Sequence, residues 1–131
     1  KVIESDPIPG SLDFIDKFYK LYNMFIVSGT PQKEIRQIAN SLRLTKKMKG
    51  IFGSPKKKES HVEDIIKLNN YNRSDCLFIG DAKADHKAAV ANDTRFLLIE
   101  NEVNSKLFMG INGIHRASDL INLQDIILEK L

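Results

Sequence analysis

Asp81 and Asp85 stand four residues apart, directly after an apolar run that closes on Gly80 in LFIGDAKADHKAA. If the run is a strand and the next stretch a helix, Asp81 ends the strand and Asp85 lies one helical turn on, so both carboxylates can face one crevice. Hard oxygen ligands of this kind suit Mg²⁺, which takes one or two protein carboxylates and fills its octahedron with water and substrate phosphate. The same spacing equally suits an N-cap aspartate followed by a first-turn acid that the helix dipole favours. Spacing does not separate the two.

Two further groups stand at comparable places. Ser28 lies where MFIVSG ends, followed by Gly29 and by a helix start at Thr30 or Pro31. A hydroxyl, a free glycine N–H and a helix N-terminus together make a good phosphate or carboxylate site, although Ser28 and Thr30 also qualify as plain helix caps. In GSPKKKES, Lys56, Lys57 and Lys58 precede another helix. Lysines at a helix start oppose the dipole, which suggests a purpose other than helix stability, such as neutralising a carboxylate and a phosphoryl oxygen in one crevice; a solvated surface run is the plainer alternative.

The elements that must position these groups alternate. Leu12, Ile15, Phe18, Tyr19 and Tyr22 predict a helix behind Ser11; MFIVSG reads as a strand buried on both faces; a helix follows with Ile35, Ile38 and Leu42 inward. GIFG is a short strand candidate, then comes a helix carrying Val62, Ile65, Ile66 and Leu68. CLFIG is a strand, KADHKAAVAN a helix with a small face of Ala84, Ala88, Ala89 and Ala91, and RFLLIE a strand. Residues 100–114 read as a loop, and SDLINLQDIILEKL as a C-terminal amphipathic helix capped by Ser118. Strand–helix alternation implies a mostly parallel sheet with helices on both faces, in which ligands gather at the carboxyl ends of the strands.

With 131 residues, 42% of them hydrophobic, the chain can bury one moderate core, and a single domain over residues 1–131 is expected. Lys plus Arg exceeds Asp plus Glu by only 20 to 17. Cys76 is the sole cysteine, so no intrachain disulfide can form and a cytoplasmic setting is the natural reading; beside LFI it reads as core filling. No run approaches the roughly 20 apolar residues of a membrane span, so no membrane association is expected. Six lysines fall within residues 46–58, but no nucleic-acid motif accompanies them, and nucleic-acid binding is not expected. His61 and His86 lack the spacing of a zinc site and read as surface or supporting residues.

Taken in order, FIVSGT, GSPKKK and CLFIGDAKADHKAA resemble the haloacid dehalogenase (HAD) superfamily, in particular its phosphatase-like members. The resemblance implies a Rossmann-like three-layer α/β/α core. It implies that Ser28, with Gly29, binds the transferring phosphoryl group, and that a lysine stabilises the nucleophile and phosphoryl charge, with Lys58 the best match to GSPxxK and Lys57 a close rival. It further implies that Asp81 binds Mg²⁺, with Asp85 as second metal-site carboxylate or support for that ligand and its waters. A small phosphorylated substrate, hydrolysed through an aspartyl-phosphate, would follow.

The superfamily's first motif, a strand ending in DxDx[TV] that supplies the nucleophile, is not in this sequence, and Asp6 in ESDPIPG does not match it. The expectation is therefore a HAD core missing its first strand, the C-terminal part of a longer enzyme, inactive alone. A missing N-terminal segment or another copy of the chain would complete the sheet. The alternative is a non-catalytic phosphate- or protein-binding module on the same fold.

Overall fold

Apolar runs and amphipathic stretches become a six-stranded sheet with helices against it. In the computed structural model, residues 2–3, 11–111 and 114–117 are described. The strands are β1 (Val2–Ile3), β2 (Phe25–Pro31), β3 (Gly50–Ser54), β4 (Leu77–Gly80), β5 (Arg95–Ile99) and β6 (His115–Ala117). The helices are α1 (Ser11–Phe18), α2 (Gln32–Ser41), α3 (Lys58–Asn69), α4 (Lys83–Ala91) and the single turn α5 (Asn104–Leu107). The sheet order is β3-β2-β1-β4-β5-β6, and every neighbouring pair is parallel.

Side-chain alternation along the strands sorts the core into two layers. Ile26, Ile79, Leu97 and Ile99 pack with Phe14 and Ile15 of α1 and Ile35 and Ala39 of α2. Phe25, Val27, Phe78, Phe96 and Leu98 pack instead with Val62, Ile65 and Ile66 of α3 and Ala88 and Ala89 of α4. Strands covered on both faces must be apolar at every covered position, which is why residues 25–27 of β2, 77–79 of β4 and 96–99 of β5 read as unbroken hydrophobic runs. The three-layer α/β/α architecture thus stands.

The helix stripes are narrower than their spacing suggested. Ile38, Leu42 and Leu68 are exposed, and α2 turns Ile35 and Ala39 inward instead, one turn apart. Of the four alanines of α4, only Ala88 and Ala89 are buried. β2 also continues to Pro31, so α2 starts at Gln32, with Pro31 rather than Thr30 at the cap position. Residues 100–114, read as a loop, contain α5, and β6 follows them as a short edge strand. The helix expected behind Ser118 lies outside the described residues.

The centre of the sheet differs most from expectation. The place between β2 and β4, left without an occupant by the sequence, is taken by β1: Val2 pairs with Phe25 and Phe78, and Ile3 with Ile26 and Ile79. Two residues are below the length at which strand patterning can be seen. Pairing on both sides nonetheless spares β2 and β4 bare apolar edges at that level.

Candidate functional site

In an order 3-2-1-4-5-6 the connections leave in opposite directions on the two sides of the boundary between β1 and β4, which opens a crevice at the carboxyl ends of the strands. β2 delivers Ser28 and Gly29 to that end, β4 delivers Asp81, and the first turns of α3 and α4 deliver Lys58 and Asp85.

Ser28 is buried, at 2% exposure, and its Oγ accepts a hydrogen bond from Thr30 N at 3.0 Å. The β2–β3 pairing shifts register between Val27 and Pro31, so the backbone leaves the ladder where Ser28 and Gly29 sit. The side chain of Gln32 replaces the lost strand bonds: its Nε2 donates to Ile51 O at 2.8 Å, and its Oε1 accepts from Gly53 N at 2.6 Å. Gly53 O in turn meets Nε2 of His61 at 2.9 Å, and since a carbonyl only accepts, that nitrogen is the donor. His61 is buried, with its ring 5.2 Å from that of Phe52. It therefore fastens α3 to the end of β3 rather than lying on the surface, and its place three residues after Lys58, beside inward-facing Val62, is the signal that could have revealed this.

Among the three lysines, Lys58 is the one in the crevice. It opens α3, and its Nζ lies 2.7 Å from Asp85 Oδ1. A Cβ built on Gly29 would stand 3.9 Å from Lys58 Cε, so the ammonium stem runs between the Ser28–Gly29 turn and Asp85. Lys57 is exposed and Lys56 pairs with Asp64. Lys47 binds Asp16 at 2.9 Å and lies over the Tyr19 ring, so three of the six lysines of the basic run are spent on neighbouring acids.

Asp85 is fully buried and every contact has a purpose in the turn. Beyond Lys58, its Oδ2 accepts from Ala82 N at 3.1 Å and from Asp81 N at 3.3 Å. These bonds satisfy N–H groups at the start of α4; the cap position is held by Ala82 rather than Asp81, and Asp85 reaches back to it from the third helical position. Gly80 is needed here because a Cβ on it would come within 2.5 Å of Asp85 Oδ2 and 2.6 Å of its Cβ.

Of the two carboxylates read as metal ligands, only Asp81 keeps any exposure to an arriving ion. Among the described residues no group of three or more His, Cys, Asp or Glu side chains gathers to hold a metal. The donor set fits a hard ion that takes one or two carboxylates and fills its other positions with water and phosphate oxygen, which is the habit of Mg²⁺ and not of zinc.

Asn104, which the sequence did not single out, completes the turn from the other side. It is buried; its Nδ2 donates to Asp81 O and Ile99 O, both at 2.9 Å, and its Oδ1 accepts from Asn101 N at 2.8 Å. His86 lies away from this network, its ring 5.3 Å from Phe96 and 5.8 Å from Phe108. On the surface, Asp16, Glu63 and Asp64 are held below the usual carboxylate range by hydrogen bonds from Lys47, Lys67 and Lys56 respectively. Burial pushes the Cys76 thiol up.

Against known proteins, the sequence profile described as haloacid dehalogenase-like hydrolase matches residues 2–99. No match was found among curated proteins. Solved structures share the fold at low identity. A haloacid dehalogenase-like hydrolase from Streptococcus pneumoniae superposes with TM-score 0.76 at 17% identity over 91% of this chain and 59% of its own. The core domain of a candidate phosphoglycolate phosphatase from Streptococcus pneumoniae gives 0.75 at 15%, over 98% of this chain and 94% of its own. D,D-heptose 1,7-bisphosphate phosphatase from B. bronchiseptica, complexed with magnesium and phosphate, gives 0.74 at 16%, over 99% and 98%. Against three of the similar structures this chain spans 59%, 53% and 60% of their length.

Proposed function

This chain belongs to the haloacid dehalogenase-like hydrolases, and we propose that it carries the phosphate-binding and metal-binding part of a Mg²⁺-dependent phosphate-monoester phosphatase. The observation that carries this reading is the Lys58–Asp85 pair at 2.7 Å, its carboxylate fully buried, set against the Ser28–Gly29 turn and four residues on from Asp81. A cation so held has one side on a carboxylate and can turn another to a phosphoryl oxygen, where charge develops during transfer.

In this reading Ser28 Oγ and the Gly29 N–H hold the phosphoryl group, Lys58 neutralises its charge, and Asp81 holds Mg²⁺. Asp85 keeps Lys58 and the Asp81 turn in place. Bound Mg²⁺ would supply charge neutralisation at the phosphoryl oxygens. The attacking carboxylate belongs to a DxDx[TV] strand that this sequence does not contain; a protein that has it would pass through an aspartyl-phosphate, and these residues alone would show no turnover. Electrostatic groups cannot replace the nucleophile in a reaction whose accelerations reach about 10²¹.

The second reading, a phosphate- or protein-binding module without catalysis, draws on a specific observation: β1 already sits in the sheet's centre with no DxDx[TV] after it. One set of assays tests both. The chain should bind inorganic phosphate in the presence of Mg²⁺, weakened in Ser28→Ala and Lys58→Ala, and should leave p-nitrophenyl phosphate untouched. Phosphate binding that is indifferent to both substitutions would sink the site. Turnover by the chain itself, abolished in Asp81→Asn, would show that an acid within these residues does the attacking.

A further inference from the structure

The backbone around Asp81 is held by two side chains from different parts of the chain. Its own N–H and the next, of Ala82, both donate to Asp85 Oδ2. Its carbonyl accepts from Asn104 Nδ2. The Asp81–Ala82 peptide group is therefore clamped at both poles, the N–H by Asp85 and the C=O by Asn104, and the Asp81 N–H is pinned as well. With those bonds made, the backbone from which Asp81 carries its carboxylate is fixed on both sides of its Cα.

Asn104 is equipped for this in a way a filler residue would not be. Its second amide contact, to Ile99 O, ties the turn after β4 to the end of β5. Its Oδ1 is anchored by Asn101 N, and Asn101 Oδ1 accepts from Val103 N at 2.9 Å and Asn104 N at 2.7 Å, which closes the intervening turn. Asn104 is 4% exposed, so neither Nδ2 bond competes with water. What the amide does that an apolar side chain cannot is hold the Asp81 carbonyl while it is itself anchored to Ile99 O and Asn101 N.

We infer that Asn104 is a positioning residue for the Mg²⁺ carboxylate Asp81, acting from the loop after β5 through the Asp81 carbonyl. The inference rests on the reading of Asp81 as the metal-binding residue. Groups that orient a metal ligand without touching the ion typically contribute about 10–100-fold to affinity, so Asn104→Ala should weaken Mg²⁺ binding by that factor while the folded protein keeps its sheet.

The test is a Mg²⁺ titration of the whole chain followed by amide NMR shifts of Gly80 to Asp85, at a temperature where wild type and variants are all folded by their β4 and β5 amide shifts. Wild type should show saturable shifts, Asn104→Ala the same shifts at roughly ten times the Mg²⁺ or more. Asn101→Ala, an exposed position that loosens the same turn, should weaken binding in the same direction and decides the matter if Asn104→Ala does not fold. Variants that bind as wild type does, however much their melting temperatures drop, would make Asn104 structural only and overturn the inference. Absence of Mg²⁺-dependent shifts in wild type would overturn the metal reading of Asp81 and the inference with it.

Discussion

Lys58 Nζ rests 2.7 Å from Asp85 Oδ1 and so joins the first residue of α3 to the third of α4, with Asp85 sealed from solvent and Lys58 nearly so. Moving two charges out of water is costly, and their attraction offsets that cost only when the geometry is good and the remaining lone pairs are satisfied. The second Asp85 oxygen meets that condition with two backbone N–H groups.

Lys58→Met should therefore be expensive, because it leaves a buried carboxylate without its cation. About 3 kcal/mol is expected from the behaviour of such pairs. Urea unfolding of the two chains measures it; a loss below about 1 kcal/mol, the level of an exposed pair, would mean that Asp85 is not sealed as described.

Gly80→Ala tests the other side of Asp85. The added methyl would stand 2.5 Å from Oδ2 and 2.6 Å from Cγ, closer than any real contact, and the obstructing atoms belong to a side chain held by three bonds. Overpacking of this kind costs about 1–3 kcal/mol. Thermal unfolding should register the loss, and phosphate binding should weaken as Lys58 loses its partner. An unchanged melting temperature would show that Asp85 can yield.

The exposed pairs predict a small acid effect of known sign. Asp16, Asp64 and Glu63 are lowered by their lysines, so what they contribute is present above the ordinary carboxylate range, about 3.9 to 4.3, and disappears as pH falls through their folded-state values. Comparing wild type with the triple variant Asp16→Asn, Glu63→Gln, Asp64→Asn should give a modest difference in melting temperature at pH 6–7 that closes below about pH 4 and shrinks in high salt. A difference that persists at pH 2 would assign the effect to packing.

Cys76 should be a slow nucleophile. Its thiol is half-buried, donates to Asn72 O at 3.4 Å, and is pushed up first by burial, with Asp75 adding to the shift. Alkylation by iodoacetamide near pH 8 should run well behind that of glutathione, and the rate should go on climbing at alkaline pH where a free thiol has levelled off. A rate equal to that of glutathione would contradict the burial.

Much of this was legible in the chain. Continuous apolar runs such as FIVSG and CLFIG announce strands covered on both faces because burial on both sides demands apolar residues at every position, and Ser28, Lys58, Asp81 and Asp85 were singled out because three short motifs stand in the order of the resembled family, where type and spacing alone left plain helix caps open. What was not legible lacks such a signal. β1 is two residues long, and β6, HRA, shows no alternation; both are strands only because a neighbouring ladder offers them partners. Ile38 and Leu68 fit an inner stripe by spacing, yet each helix has one line of closest approach to the sheet and they fall off it.

The sequence by itself determined the layered fold, the crevice and the residue types brought to it, since these follow from periodicity and from which side chains can bind phosphate or a hard cation. Tertiary structure alone decided the rest. It set Lys58, which the resemblance had favoured over its close rival Lys57, against Asp85 and left Lys57 exposed, because one residue along a helix start is a rotation of about 100°. Of the two readings that spacing had left open for Asp85, metal-facing carboxylate or first-turn acid of a helix, it shows Asp85 bonded to the N–H groups of the Asp81 turn, and it added the partner Lys58. It brought Gln32 and Asn104 into the support of the site, since a hydrogen bond between residues far apart in the chain leaves no periodic trace in it.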